Sequence, residues 1–107
     1  MLKSTKKPHK GSCPVEKVAE LVGDPCSLLI VRDLLNESRR FGELQTSLAG
    51  ISSRTLAKKL KMLEIEGIIS REEFSEKPPR VEYALTKKGM ALHDVIDAMR
   101  AFGKKYL

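Results

Sequence analysis

Arg54, Lys58 and Lys61 recur at i, i+4 and i+7, the spacing that lines up side chains along one face of a helix. Leu56, Leu60 and Leu63 repeat that spacing, displaced by two residues. Two residues turn a helix by about 200°, so the basic stripe points away from whatever core the leucines enter. Lys59 adds a fourth cation, and no acidic residue interrupts 52–62. Ser52, Ser53 and Thr55 stand at the N-terminal turn, with short hydroxyls that can bond phosphate or a base edge. The chemistry this suits is polyanion recognition. A helix N-terminus offers unpaired amides to phosphate, and the major groove of B-DNA admits one helix that reads bases with its N-terminal residues.

Other chemistries lack their residues. His9 and His93 are the only histidines, and neither forms a metal-ligand spacing with Cys13 or Cys26. The carboxylates sit mainly beside Lys or Arg on helix faces, where solvation accounts for them. No glycine-rich phosphate loop, nucleophile elbow or carboxylate pair is present, so neither an enzyme nor a cofactor or metal is expected. The longest apolar run, Leu28–Val31, is too short to span a bilayer, and no apolar signal segment follows the basic N-terminus. The chain therefore reads as cytoplasmic, with two free thiols. Cys26 reads as a buried small hydrophobe.

The elements that must hold the stripe can be traced along the chain. The 107 residues suit one domain, with a core of Leu, Ile, Val and Met because only five residues are aromatic and there is no Trp. Net charge is +6 and the pI about 9.5. Residues 1–12, with four lysines and no acid, read as a flexible basic arm ahead of a domain over 13–107. Val15, Val18, Ala19 and Val22 predict a helix over 14–22 with Pro14 in its first turn. Asp24-Pro25 starts a second helix as N-cap and first residue. Its apolar residues fill several faces, which places it at the buried centre. After the polar break Asn36–Arg40, Phe41, Leu44 and Leu48 predict a short third helix. Ala49–Ser52 is a turn with Gly50 free to take positive φ. The fourth helix covers 53–66. Alternation over Ile69–Glu73 and Val81–Leu85 predicts two strands joined by the loop Ser75–Arg80. Thr86 caps one long last helix, about 87–106.

These segments resemble the HxlR family of winged helix-turn-helix regulators, relatives of the MarR group. The matching stretches are Cys13–Glu16, Leu28–Ile30 with Arg32–Leu35, Arg39–Leu44, and Gly50–Ser52 through Leu60. They continue in Leu63-Glu64 to Gly67-Ile68, and in Pro78–Tyr83 before Leu85-Thr86 and Gly89. Where the family usually has a tryptophan near the start of the second helix, Cys26 stands here.

The resemblance implies an α+β, mainly α fold, with a two-stranded wing and terminal dimerisation helices. It implies a homodimer, paired through the first and last helices, on an inverted repeat in double-stranded DNA. The expected interface is Val15 and Val18 with Leu92, Val95, Ile96, Met99, Phe102 and Tyr106. The expected DNA-contacting set is Arg39, Arg40, Ser52, Ser53, Arg54, Thr55, Lys58, Lys59 and Lys61, with Lys77 and Arg80 of the wing loop at the backbone or minor groove. Some members sense oxidants or electrophiles through a cysteine at the position of Cys13, where a helix N-terminus favours thiolate. The effector is not identified. A non-specific architectural DNA-binding protein is the alternative, and a winged helix used only for protein contact is a third.

Overall fold

The computed structural model describes residues 13–107, so the basic arm over 1–12 lies outside the described residues. The order is α1 (Pro14–Val22), α2 (Pro25–Leu34), α3 (Phe41–Ser47), α4 (Ser53–Ile65), β1 (Ile69–Phe74), β2 (Arg80–Leu85), α5 (Lys87–Met90) and α6 (His93–Tyr106). This is the mainly helical α+β winged helix-turn-helix expected from the sequence. Local chemistry fixes the element starts. The Asp24 side chain accepts from the Ser27 amide at 3.0 Å, Ser52 Oγ from the Thr55 amide at 3.1 Å, and Thr86 Oγ1 from the Gly89 amide at 3.0 Å. Each satisfies an amide that a helix start leaves unpaired. Gly50, at φ 91°, makes the turn between α3 and α4 in a conformation that side chains with a Cβ rarely adopt.

The strands pair antiparallel, with Ile69 opposite Leu85 and Phe74 opposite Arg80 at the far end. A third segment joins the sheet. Arg39 and Tyr83 exchange both backbone hydrogen bonds, at 2.9 and 2.8 Å, so the polar break ahead of α3 is pinned to the wing. The core gathers Ile30, Val31 and Leu34 of α2 with Leu44, Leu48, the three leucines of α4, Ile68, Ile69 and Ile96. The centre is α2, as its apolar faces require.

Two expectations are corrected. The long last helix is two helices, because the chain tightens through i→i−3 hydrogen bonds from Ala91 to Lys88 and from Leu92 to Gly89 before α6 begins. The cause is close packing at Gly89, where a Cβ would fall on the Ile68 carbonyl. Helix α5 is therefore pressed against the backbone of Ile68, just ahead of β1, and the chain must change direction to leave it. Ile96, expected at a dimer contact, is 7% exposed and belongs to the core of the single chain, with Leu92 packed against it.

Candidate nucleic-acid interface

The face of α4 opposite its buried leucines carries the expected stripe. Leu56, Leu60 and Leu63 are buried, whereas Arg54, Lys58 and Lys61 are exposed and make no ion pair among the described residues. Ile65, 71% exposed, continues the stripe at its C-terminal end. The reading from charge alone missed this residue, although its i, i+4 spacing from Lys61 places it there. The hydroxyls at the other end are partly engaged. Ser52 Oγ caps α4 and lies 3.0 Å from Thr55 Oγ1, and Ser53 Oγ accepts from Gln45 Nε2 at 2.9 Å. Gln45, a residue the sequence reading passed over, also reaches the Ile51 carbonyl. It ties α3 to the first turn of α4 and fixes the angle of the two-helix unit.

Lys59 does not belong to the stripe. Three residues beyond Leu56, it flanks the buried side of α4, and its Nζ lies 3.3 Å from Asp24 Oδ2 at the start of α2. Burial alone pushes the Asp24 carboxyl up, but hydrogen bonds from Ser27 and the Lys59 ammonium outweigh it and hold Asp24 below the usual carboxylate value. The same corner shapes Cys26, which is half-buried and packed against the core. Burial raises its thiol pKa, the Asp24 charge adds to that, and Lys59 opposes it.

The remaining expected contacts lie on two elements. Arg40 is exposed, and its amide donates to Glu43 Oε1 at 2.9 Å to start α3. Arg39 is half-buried, with Nη1 3.9 Å from Glu37. In the wing, Lys77 is exposed at the loop tip. Arg80 lies in strand β2, with its guanidinium 4.1 Å over the Phe74 ring and between Glu76 (3.0 Å) and Glu82 (3.6 Å).

A family model described as HxlR-like helix-turn-helix matches residues 21–107. The chain belongs to this family. As an HxlR-like protein it is a helix-turn-helix transcription regulator. It is 41% identical over 95 residues to the HTH-type transcriptional regulator sll1512 of Synechocystis sp., covering 89% of this chain and 70% of that protein. It is 38% identical over 96 residues to YvaP of Bacillus subtilis, covering 89% of each. Solved structures of similar shape include a redox regulator and a diamide-treated protein. The redox regulator HypR in its oxidized form matches with a TM-score of 0.84 and 30% identity, covering 89% of this chain and 98% of that one. Diamide-treated YodB of B. subtilis matches at 0.73 and 36%, covering 88% and 94%.

This HxlR-like domain also carries an apolar surface on α1 and α6. Val15 is 76% exposed, and Val18, Val95, Met99, Phe102 and Tyr106 are also exposed. A groove between α1, α2 and α6 is lined by Val15, Val18, Leu28, Val95 and Met99. The rings of Phe102 and Tyr106 stack with centroids 5.1 Å apart. Cys13 is exposed at the N-cap of α1, one turn before Lys17, and its side chain makes no capping bond. His93, Asp94 and Asp97 stand within 4.8 Å of one another, but all are exposed, and Arg100 already holds Asp97 at 3.0 Å. No helix among the described residues is long and apolar enough to cross a membrane.

Proposed function

We propose that this regulator binds double-stranded DNA sequence-specifically, as a homodimer on an inverted repeat, in the cytoplasm where the chromosome is. The carrying observation is the outward stripe of α4. Three exposed cations without carboxylate partners stand opposite three buried leucines, beside a wing. Arg54 and Lys58 reach base edges or phosphates in the major groove, Lys61 and Arg40 reach the backbone, and Ser53 and Thr55 lie at the groove edge. Arg39 stands behind Arg40 at the same edge. The domain over 13–107 carries both DNA binding and dimerisation, with residues 1–12 as a basic arm. The dimer buries Val15, Val18, Val95, Met99, Phe102 and Tyr106, and sets the two α4 helices about 34 Å apart, one turn of DNA.

The test is a DNA-shift titration with the region upstream of the protein's own gene, competed by specific and unrelated duplex. Preferential competition by the specific duplex supports regulation. Equal competition by both leaves the non-specific architectural reading, and no salt-dependent binding removes DNA binding altogether. Cys13 is the thiol at which this regulator responds to oxidants. It is exposed beside the apolar face, and an adduct there alters the spacing of the two α4 helices. Similar structures include a redox regulator and a diamide-treated protein. Diamide should weaken DNA binding of the native protein but not of Cys13→Ser. Equal responses from the two reduce Cys13 to packing.

A further inference from the structure

The wing is a poor electrostatic partner for DNA taken as a whole. Residues 69–85 hold Arg71, Lys77 and Arg80 against Glu72, Glu73, Glu76 and Glu82. Arg71 lies 3.9 Å from Glu73, and Arg80 is held by two glutamates. Lys77 is thus the one wing cation without an ion pair among the described residues. Arg80 is also poorly placed to reach phosphate. Its Nε is buried without a partner, and its guanidinium is stacked on Phe74, its cross-strand neighbour at the open end of the ladder.

The contacts of Arg80 form a chain across the domain. Glu76, in the wing tip, is joined to Arg80, and Arg80 to Glu82. Glu82 accepts from Ser38 Oγ at 2.9 Å. Ser38 precedes Arg39, whose backbone is doubly bonded to Tyr83, and Arg40 starts α3. The wing tip is therefore linked through side chains to the segment that leads into the helix-turn-helix.

We propose that Arg80 is a positioning residue rather than a phosphate ligand. With Glu76, Glu82 and Phe74 it braces the wing loop so that Lys77 meets the DNA backbone, and through Ser38 it locks the wing to α3, so that wing and helix-turn-helix dock as one body. A planar guanidinium suits this task, because it can stack on a ring and fork to two carboxylates at once, which an ammonium cannot. This inference rests on the DNA-binding reading above.

The test measures affinity for a fluorescein-labelled, mixed-sequence 30-base-pair duplex by anisotropy across a salt series, since the phosphate contribution is independent of sequence and has a slope of about 0.9 per phosphate. Lys77→Ala should lower the slope by about 0.9 per protomer. Arg80→Lys keeps the charge, yet should weaken binding several-fold, and should add nothing in a Lys77→Ala background because it acts through Lys77. Unchanged affinity for Arg80→Lys, or a further loss of slope when Arg80→Ala is added to Lys77→Ala, makes Arg80 a phosphate ligand and overturns the brace. Should circular dichroism show that Arg80 variants unfold, Ser38→Ala decides. It changes no charge, so weaker binding supports the brace and unchanged binding overturns it. A flat salt response of the unaltered protein overturns the DNA-binding reading instead.

Discussion

Replacing Phe102 by alanine tests the proposed dimer with little risk to the fold. Phe102 is 59% exposed and lies beyond the last core residue of α6, Ile96. An aromatic side chain presents roughly 200 Å², so a partner covering the exposed part removes about 120 Å² from water. At about 25 cal/mol per Å² that is about 3 kcal/mol, and a two-fold interface counts it twice. Alanine keeps some of the contact and neighbouring side chains relax, so a loss of about 3–5 kcal/mol is expected, or roughly 10²- to 4 × 10³-fold in dimer Kd at about 1.4 kcal/mol per decade. Sedimentation equilibrium from nanomolar to tens of micromolar protein measures it directly. The variant should remain folded, with an unaltered circular dichroism spectrum, and dissociate in the micromolar range. A native chain that is already monomeric at micromolar concentration, or a variant whose dimer constant stays within about twofold of the native one, would refute the reasoning.

Three further outcomes follow from particular residues. Leu60→Ala, at a fully enclosed site between α4 and α2, should cost about 2–5 kcal/mol in urea unfolding. Gly50→Ala has open space for its methyl but inherits φ 91°, so it should cost about 1–2 kcal/mol from conformation alone, with the same denaturation assay as the check. Asp24→Ala should cost about 1 kcal/mol through the lost cap, while Asp24→Asn keeps the cap. The pH dependence follows from the sign of the shift. The folded carboxyl lies below its ordinary 3.8, so on acidification the unfolded chain binds the proton first. The stabilisation is complete above that ordinary value and is lost as pH falls through the lower folded one. The gap between native protein and Asp24→Asn, taken from melts at neutral and acid pH, should close in that window.

Much of this fold is written in local patterns. Period-3.6 leucines with a displaced basic stripe specify both faces of α4, and Asp24, Ser52 and Thr86 announce three helix starts, because caps and amphipathic faces depend on residues a few positions apart. What escaped depends on contacts distant in sequence. Lys59 reads as one more cation in a basic run until Asp24, 35 positions away, is brought beside it. Arg80 reads as a basic loop residue, yet it completes a strand and is enclosed by Glu76, Glu82 and Phe74. Ile96 and Met99 share an apolar stripe, and only the packing of α6 sends the first inward and leaves the second exposed. The break at Ala91–Leu92 follows from the approach of Gly89 to the Ile68 carbonyl, which no periodicity in 87–106 reveals.

The same helix that carries the proposed dimer contact also enters the core, and in the proposed dimer this would set the spacing of the two α4 helices. Ile96 fixes the first half of α6 against the domain, while Met99, Phe102 and Tyr106 extend beyond it. Rotation of α6 relative to the core cannot occur without disturbing buried packing. At the other end, α4 is held to α2 by its leucines and by the Lys59–Asp24 pair, and to α3 by Gln45. A partner docked on α6 and α1 is thereby connected to each α4 through packed elements rather than loops. A few ångströms of change at that interface, such as an adduct at Cys13, would then be passed to the recognition helices instead of being absorbed. In that arrangement the distance between half-sites is set by the apolar face, and the basic stripe supplies contacts only when that distance matches one turn of DNA.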